Sequence, residues 1–328
     1  MKKFLLKVLA FLLVMAALTL TINHVYMRMD GADPDNTRKF QSMGDEIQLC
    51  NFGSSHGACD YQYDEINGEI ECFNFGLDSQ LLSYDARLFD YYADHLAPGG
   101  VVFITISYFS FYGVDEVERD RFQEKNKRYY KILPRELIKQ YDWKTDFYTR
   151  LPALTAGPRL YRVFSGKVKP YQYIRNKKTS KSKAEEGSKK AAKRHVITDK
   201  IDQNGHRIVD QEEVDAVIHM INGCKERDLT PVLITPPYLK EYTDAVAAVD
   251  PDFYDEFYAM IDSIKDETKV EYYDYARDKR FNTDYDLFTN SDHLNDYGAR
   301  KFVKILLEEV VHYGTEESLI VSNPAVES

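Results

Sequence analysis

This chain of 328 residues contains few cysteines and has fewer basic than acidic residues. The four cysteines, at positions 50, 59, 72 and 224, form no C-x-x-C pair, so their spacing does not indicate a structural zinc site. Acidic residues outnumber Lys and Arg by 53 to 43, which gives a net charge of −10. That balance argues against a general nucleic-acid-binding protein. No internal repeat is present, and 44% of the residues are apolar, which is enough for a globular core.

Charged residues are also missing from a long segment near the N-terminus. The run Val8–Met27 contains 20 residues without Asp, Glu, Lys or Arg, whereas Lys2, Lys3 and Lys7 precede it. A helix of that length spans roughly 30 Å, the thickness of the bilayer hydrocarbon, and flanking positive residues stay on the cytoplasmic side. The sequence therefore predicts a single-pass anchor over residues 1–28, located in the cell membrane with the C-terminal domain extracellular.

A cleaved signal peptide is the alternative, because small residues at 16–17 resemble a cleavage region. Either interpretation exports residues 29–328. Outside the cell a disulfide is allowed, and Cys59 with Cys72 would be the pair. Buried free thiols are the other interpretation of the cysteines.

The rest of the chain alternates short apolar runs with helical patterns, the order typical of βαβ units around a parallel sheet. After a polar stalk at residues 29–44, an α/β domain is predicted over residues 45–313, followed by a polar tail at 314–328. The predicted strands cover residues 46–52, 70–75, 101–107, 231–235 and 270–273, and the predicted helices cover 79–96, 212–227, 252–265 and 295–312. The expected fold class is a three-layer α/β/α sandwich with a parallel, flavodoxin-like sheet.

A basic segment interrupts this domain at about residues 166–195. Residues 167–194 carry 11 Lys or Arg and two acids, a local charge of +9, which leaves −19 for the rest of the chain. The segment lacks apolar periodicity, so a flexible, solvated insertion is predicted. Attraction to an anionic polymer or to lipid headgroups is its alternative role.

Serine and histidine stand at the two most informative positions. The segment 49–57 (LCNFGSSHG) is an apolar strand that leads into Gly53-Ser54-Ser55 and a helix start. A serine at such a turn exposes its hydroxyl above the sheet, and its own N–H can receive an oxyanion. The alternative is a serine that only caps the helix.

The segment 289–299 (TNSDHLNDYGA) lies just before the last predicted helix. An imidazole there, His293, is a natural general base for a serine on the first strand, and a nearby acid would orient it. The alternative is a surface histidine beside a helix whose N-cap is Asn295. A glycine after the second strand, Gly76, lets the backbone approach a ligand closely and donate an N–H.

These segments occur in the order serine, glycine, histidine, and together they resemble the SGNH (GDSL-type) hydrolases over about residues 45–312. Within that family, the chain resembles the exported, membrane-anchored branch associated with acylation of cell-surface polysaccharides or teichoic acids. The resemblance implies that Ser55 is the nucleophile, that Gly76 supplies an oxyanion-hole N–H beside that of Ser55, and that His293 is the base.

The chain departs from the family pattern at two positions. Where the family has an oxyanion-hole Asn after the third strand, this chain has Ser107, which would take that place. Where the family has an acid three residues before the histidine, this chain has Asn290, so Asn290 or the neighbouring Asp292 would orient the imidazole. Asp286 is a further candidate for the carboxylate.

The resemblance implies an extracytoplasmic serine esterase or O-acyltransferase that acts on a cell-surface glycan or wall polymer and needs no metal or other cofactor. A multispanning membrane-bound O-acyltransferase is the partner that the family suggests. For substrate binding we expect His56, Tyr108 and Tyr238. The alternatives are an accessory or polymer-binding protein with a decayed site, and metal-dependent hydrolysis through His56 and His293.

Overall fold

A computed structural model describes residues 1–66, 68–112, 126–168, 175–196 and 207–320. Its centre is a five-stranded sheet in which every pairing is parallel, and the strand order is β2-β1-β3-β4-β5. The strands are β1 (Ile47–Phe52), β2 (Cys72–Asn74), β3 (Leu96–Thr105), β4 (Thr230–Thr235) and β5 (Glu271–Asp274). The α/β class and the parallel sheet are confirmed, and each predicted strand forms with shifted ends.

Helices connect and flank these strands. The α-helices are α1 (Lys2–Met27), α2 (Ser55–Cys59), α3 (Leu82–Tyr92), α4 (Trp143–Arg150), α5 (Pro158–Phe164), α6 (Lys181–His195), α7 (Gln211–Glu226), α8 (Lys240–Val249), α9 (Phe253–Thr268) and α10 (Asp296–Leu306). The side chain of Asp210 caps α7, and that of Asn295 caps α10 by accepting from the N–H groups of Tyr297 and Gly298. Asx caps of this kind satisfy helix N–H groups that lack a carbonyl partner.

Apolar side chains from the central strands of the sheet form part of the buried core. Leu49 of β1, Phe103 of β3 and Ile234 of β4 belong to one core cluster with Phe302 and Leu306 of α10. Nearly continuous burial along β1, β4 and residues 100–105 of β3 is typical of central parallel strands. Since the carboxyl ends of parallel strands meet at one edge, the turns after β1 and β2 lie at the same edge.

The contacts divide the chain differently from the predicted domains. Among the described residues, 43–66, 68–112, 175–196 and 207–320 form one compact unit, which holds the sheet, and residues 1–42 with 126–168 form another. The described residues 126–168 thus group with the N-terminal residues, whereas the predicted α/β domain included them. The predicted stalk also folds: Asp33 accepts hydrogen bonds from Thr37 N (3.0 Å) and Thr37 Oγ1 (2.7 Å), and Phe40 is buried.

The basic segment is not a flexible insertion over residues 181–195, where it forms α6. The helix buries small side chains on one face and packs against α8. The buried positions are Ala184, Ser188, Ala191, Ala192 and His195. Alanine and serine are too small and too weakly apolar to produce a visible hydrophobic periodicity, so the sequence pattern missed the helix. Within the predicted insertion, residues 169–174 lie outside the described residues.

Helix α1 has the length of a membrane span. Its 26 residues extend about 39 Å, and its apolar window is entirely exposed. An N-terminal helix that could cross a membrane, either as an anchor or as a signal sequence, is thus confirmed.

Two smaller expectations are also settled. The four cysteines are free thiols, and three of them are buried, so the expected pairing of Cys59 with Cys72 does not occur. The predicted polar tail is packed as far as residue 320, because Leu319 N donates to Val311 O (2.8 Å) and Ile320 is buried.

Candidate active site

Ser55 is the first residue of α2, immediately after the turn that follows β1. Gly53 makes this turn with a φ of +138°, and a Cβ there would lie 2.7 Å from Thr105 Cβ on the neighbouring strand. Its N–H donates to Asp85 Oδ1 (3.0 Å). Only glycine fits both the backbone conformation and the close approach, so the turn that presents Ser55 depends on this residue.

Two buried or half-buried amides hold α2 in place. Asn51 Nδ2 and Asn74 Nδ2 both donate to Gly57 O, at 2.8 and 2.9 Å. The loop after β2 lies against the same turn, since a Cβ on Gly76 would meet Gly57 C and Ala58 N at 2.4 Å. Sequence reasoning missed Asn51 and Asn74, although an amide inside the apolar run of β1 is a recognisable signal of a buried polar network.

Ser55 and His293 meet although 238 positions separate them. His293 Nε2 lies 2.8 Å from Ser55 Oγ, within the range expected for a nucleophile and its base. The other ring nitrogen, Nδ1, faces two oxygens: Asn290 Oδ1 at 3.2 Å and Asp292 Oδ2 at 3.5 Å. The fold thus places a serine at one nitrogen of the imidazole and an acid at the other, which is the spatial arrangement of a catalytic triad.

The charge of Asp292 dominates the electrostatics of this group. Burial lowers the pKa of His293, but the carboxylates of Asp292, Asp60 and Asp78 outweigh it and raise that pKa to about 9. Burial likewise opposes ionisation of Asp292, yet neighbouring imidazoles, His293 first, hold its pKa well below the usual range. The pair therefore favours a carboxylate beside an imidazolium.

The loop that carries His293 is fixed by backbone hydrogen bonds. Asn290 Oδ1 accepts from Asp292 N (3.0 Å) and His293 N (2.8 Å), and Asp60 Oδ1 accepts from Leu294 N (2.8 Å). Asp60 follows α2, so this bond joins the serine turn to the histidine loop. Burial raises the pKa of Asp60 to about 8. Asp60 is a site residue that sequence reasoning missed.

His56 forms a second imidazole layer behind the first. Its ring stacks on that of His293 with centroids 4.5 Å apart and planes 13° apart. His56 Nδ1 shares a hydrogen bond of 2.7 Å with Ser107 Oγ, and Nε2 points toward Asp292 Oδ2 at 3.9 Å. Burial, followed by the charge of His293, lowers the pKa of His56 well below its usual value, so this ring is neutral.

The residues expected to bind substrate are in fact buried. His56, Tyr108 and Tyr238 are each 0% exposed. Tyr108 and Tyr238 pack against each other with ring centroids 5.4 Å apart, and Tyr108 also contacts Tyr254 and Phe257. A ring without an open face cannot stack on a sugar, so the assignment of these three residues to substrate binding is wrong.

Two of the expected oxyanion donors already have partners. Gly76 N–H donates to Asn74 Oδ1 (2.8 Å), and the buried Ser107 hydroxyl pairs with His56. Ser55 N–H, at the first position of α2, has no carbonyl one turn earlier in the helix to receive it. Asp286 is not at the site: its carboxylate is exposed and pairs with Lys178 Nζ at 3.3 Å.

The same residues could hold a metal ion. One ligand atom from each of His56, Asp292 and His293 lies within 4.8 Å of the others, and His56 Nε2 and Asp292 Oδ2 are buried without a hydrogen-bond partner. An ion bound at Nδ1 of His293 would leave the proton on Nε2. That nitrogen could then donate to Ser55 but could not accept its proton, so a metal here and a general base at His293 exclude each other.

No protein-family model matches the chain, and no curated protein matches it. Evidence for the function therefore comes from the geometry of the site.

Proposed function

We propose that this protein is a membrane-anchored serine esterase or O-acyltransferase of the SGNH type, which acts outside the cell on a carbohydrate or wall polymer. The 2.8 Å contact between Ser55 Oγ and His293 Nε2, with Asp292 facing Nδ1, carries the proposal. The strand order 2-1-3-4-5 supports it, because that is the order of doubly wound flavodoxin-like sheets. In this proposal, helices cover both faces of the sheet as a three-layer sandwich.

The first half of the reaction forms an acyl-enzyme. His293 Nε2 takes the hydroxyl proton of Ser55 while Oγ attacks the carbonyl carbon of the acyl donor. The tetrahedral oxyanion accepts a hydrogen bond from Ser55 N–H. When the oxyanion collapses, the bond to the leaving alcohol breaks, and the alcohol oxygen takes the proton from Nε2. Asp292 stabilises the imidazolium between these two proton transfers.

The second half transfers the acyl group to an acceptor. A water molecule or a sugar hydroxyl loses its proton to Nε2 as its oxygen attacks the acyl carbon. The new tetrahedral centre then expels Ser55 Oγ, which takes the proton back. Hydrolase and transferase differ only in which hydroxyl arrives, since both use Ser55 and His293. The anchor α1 and the family resemblance support a polymer acceptor at the cell surface and a multispanning O-acyltransferase as acyl supplier.

The proposal is tested by labelling the full chain, in detergent or nanodiscs, with a fluorophosphonate. We expect one adduct in the wild type and none in Ser55→Ala or His293→Ala. Ser54→Ala is the matched control, because the neighbouring hydroxyl makes no capping bond and its loss should leave labelling intact. A folded wild type that stays unlabelled would contradict an activated serine.

A second candidate function is a polymer-binding accessory protein with a weakened site. The partners already taken by Gly76 N–H and Ser107 Oγ favour it, because loss of one oxyanion donor costs about 10²–10³ in rate. The labelling experiment separates the two candidates, because an accessory protein with a decayed site would form no adduct at Ser55. Its binding of polymer would also be unchanged by Ser55→Ala.

A further inference from the structure

The compact unit formed by the described residues 1–42 and 126–168 carries an unusual apolar surface. Six large side chains between residues 143 and 164 are 44–67% exposed, although large apolar side chains are normally buried. They are Trp143, Phe147, Tyr148, Leu154, Tyr161 and Phe164, and we call this set the aromatic platform. Clusters of exposed apolar side chains mark sites of association with a partner or a membrane.

The segment that carries the aromatic platform is attached by hydrogen bonds to the C-terminal end of α1. Asn23 Nδ2 donates to Arg150 O (3.1 Å), and Asn23 Oδ1 accepts from Ala153 N (3.1 Å). Asn23 is buried even though most of α1 is exposed. An amide at membrane depth needs internal hydrogen bonds, and these two bonds supply them. The end of α4 therefore lies at the level of the last turns of α1.

Further contacts fix α5 at the same level. The rings of Tyr26 and Phe164 lie 6.4 Å apart, and Arg159 Nη2 donates to Gly31 O (2.7 Å) just beyond the end of α1. If α1 crosses the hydrocarbon, its C-terminal end reaches the membrane–water interface. Aromatic side chains concentrate at that depth because their rings are apolar and their polar atoms remain hydrated.

The charge of the segment around the aromatic platform also suits the membrane–water interface. Residues 143–168 contain five Lys or Arg and a single acid, Asp146, in a chain whose net charge is −10. Asp146 is itself paired with Arg150 (2.8 Å). Lys144 and Lys167 lie over the rings of Trp143 and Tyr161. Aromatic side chains beside basic ones are typical of helices that lie in the headgroup region, and anionic lipids strengthen such binding.

From these observations we propose that α4 and α5 form an interfacial membrane platform, whose aromatic side chains enter the headgroup–acyl boundary of the bilayer that α1 spans. The partner is the lipid surface itself. The proposal rests on the anchoring part of the proposed function and is independent of the chemistry at Ser55.

Trp143 provides the test, because it is the only tryptophan in the chain. The full chain is reconstituted in nanodiscs, and Trp143 emission is measured with lipids brominated near the headgroup or near the chain end, and with aqueous acrylamide. We expect strong quenching by the shallow bromines, weaker quenching by the deep ones, and little by acrylamide. Discs that contain anionic lipid should enhance bromolipid quenching relative to purely zwitterionic discs.

Two variants serve as controls. In a chain that combines Trp143→Phe with Tyr91→Trp, the tryptophan moves to an exposed position outside this unit, where acrylamide should quench and bromolipid should not. Phe147→Ser with Tyr161→Ser should reduce bromolipid quenching of Trp143, whereas Tyr91→Ser should not.

Two outcomes would overturn the proposal. Protein that stays in the discs with Trp143 open to acrylamide and insensitive to bromolipid would refute the platform but keep the anchor. The same result would be expected if the platform were instead a docking surface for another protein. Protein that fails to enter the discs at all would refute both the platform and the anchor, while leaving the Ser55 labelling result unaffected.

Discussion

Replacing Asp292 with asparagine should move the pH dependence of catalysis toward acid. In the wild type, the pKa of His293 is raised to about 9, and Nε2 accepts the Ser55 proton only when the ring is deprotonated. The value of kcat/KM for an ester should therefore rise with pH until about pH 9. Because the raised pKa stabilises the imidazolium, activity is lost as the pH falls below it.

The size of the effect follows from the geometry. Two unit charges 3.5 Å apart interact by about 5 kcal/mol at an effective dielectric constant of about 20, and one pKa unit corresponds to about 1.4 kcal/mol. Removing the charge of Asp292 should therefore lower the midpoint of the profile by about 3–4 pH units. The plateau rate should fall by up to about 10⁴, the loss seen when a triad Asp becomes Asn.

The assay is kcat/KM of the full chain over a wide pH range, with thermal unfolding to confirm that each variant is folded. Asp286→Asn is the matched control, because that carboxylate pairs with Lys178 away from the site, and its profile should be unchanged. Asn290→Asp should move the midpoint in the opposite direction, toward alkaline pH, because a second carboxylate would face Nδ1 at the 3.2 Å position. An Asp292→Asn profile that stays in place or moves toward alkali would refute the assignment of Asp292 as the acid.

Three further predictions follow from individual contacts. Ser107→Ala should destabilise the fold by about 1–3 kcal/mol by leaving His56 Nδ1 without its partner; a large loss of rate with unchanged stability would instead show that Ser107 is an oxyanion donor. Asp60→Asn should flatten the pH dependence of the melting temperature. The folded state keeps the Asp60 proton up to about pH 8 whereas the unfolded chain releases it near about pH 4, so wild-type stability falls as pH rises through that window; an equally steep fall in the variant would show that Asp60 is not responsible. Gly76→Ala should reduce both stability and fluorophosphonate labelling, because the added methyl group would lie 2.4 Å from backbone atoms of α2; normal labelling would mean that α2 tolerates displacement.

The order of strands and helices was predictable because their patterns are local. Short apolar runs such as 101–105 and 231–235 predict buried strands. The structure places both runs in adjacent central strands of the sheet. Helix α6 was not predictable in the same way. Its buried residues are mostly alanine, and that face is buried only because α8, the core cluster around Ala184 and the ring of Phe109 pack against it.

The candidate site divides along the same line. Gly53 and Ser55 lie in one turn, and Asn290, Asp292 and His293 in one loop, so the short segments could be found from residue types and spacing. The buried state of His56, Tyr108 and Tyr238 could not, because tyrosine and histidine occur both in cores and at binding sites. Their burial depends on side chains from distant parts of the chain.

The sequence by itself determined that the chain begins with a helix of membrane-spanning length, that an α/β domain follows, and that a serine and a histidine occupy turns beside its strands and last helix. Only the tertiary structure brought Ser55 within 2.8 Å of His293, turned Asp292 rather than Asp286 toward the imidazole, and engaged Gly76 and Ser107 elsewhere. The physical reason is that parallel strands bring their carboxyl ends to one edge of the sheet whatever their separation along the chain. Hydrogen-bond partners and burial, by contrast, depend on differences of a few tenths of an ångström in interatomic distance, which no local pattern encodes.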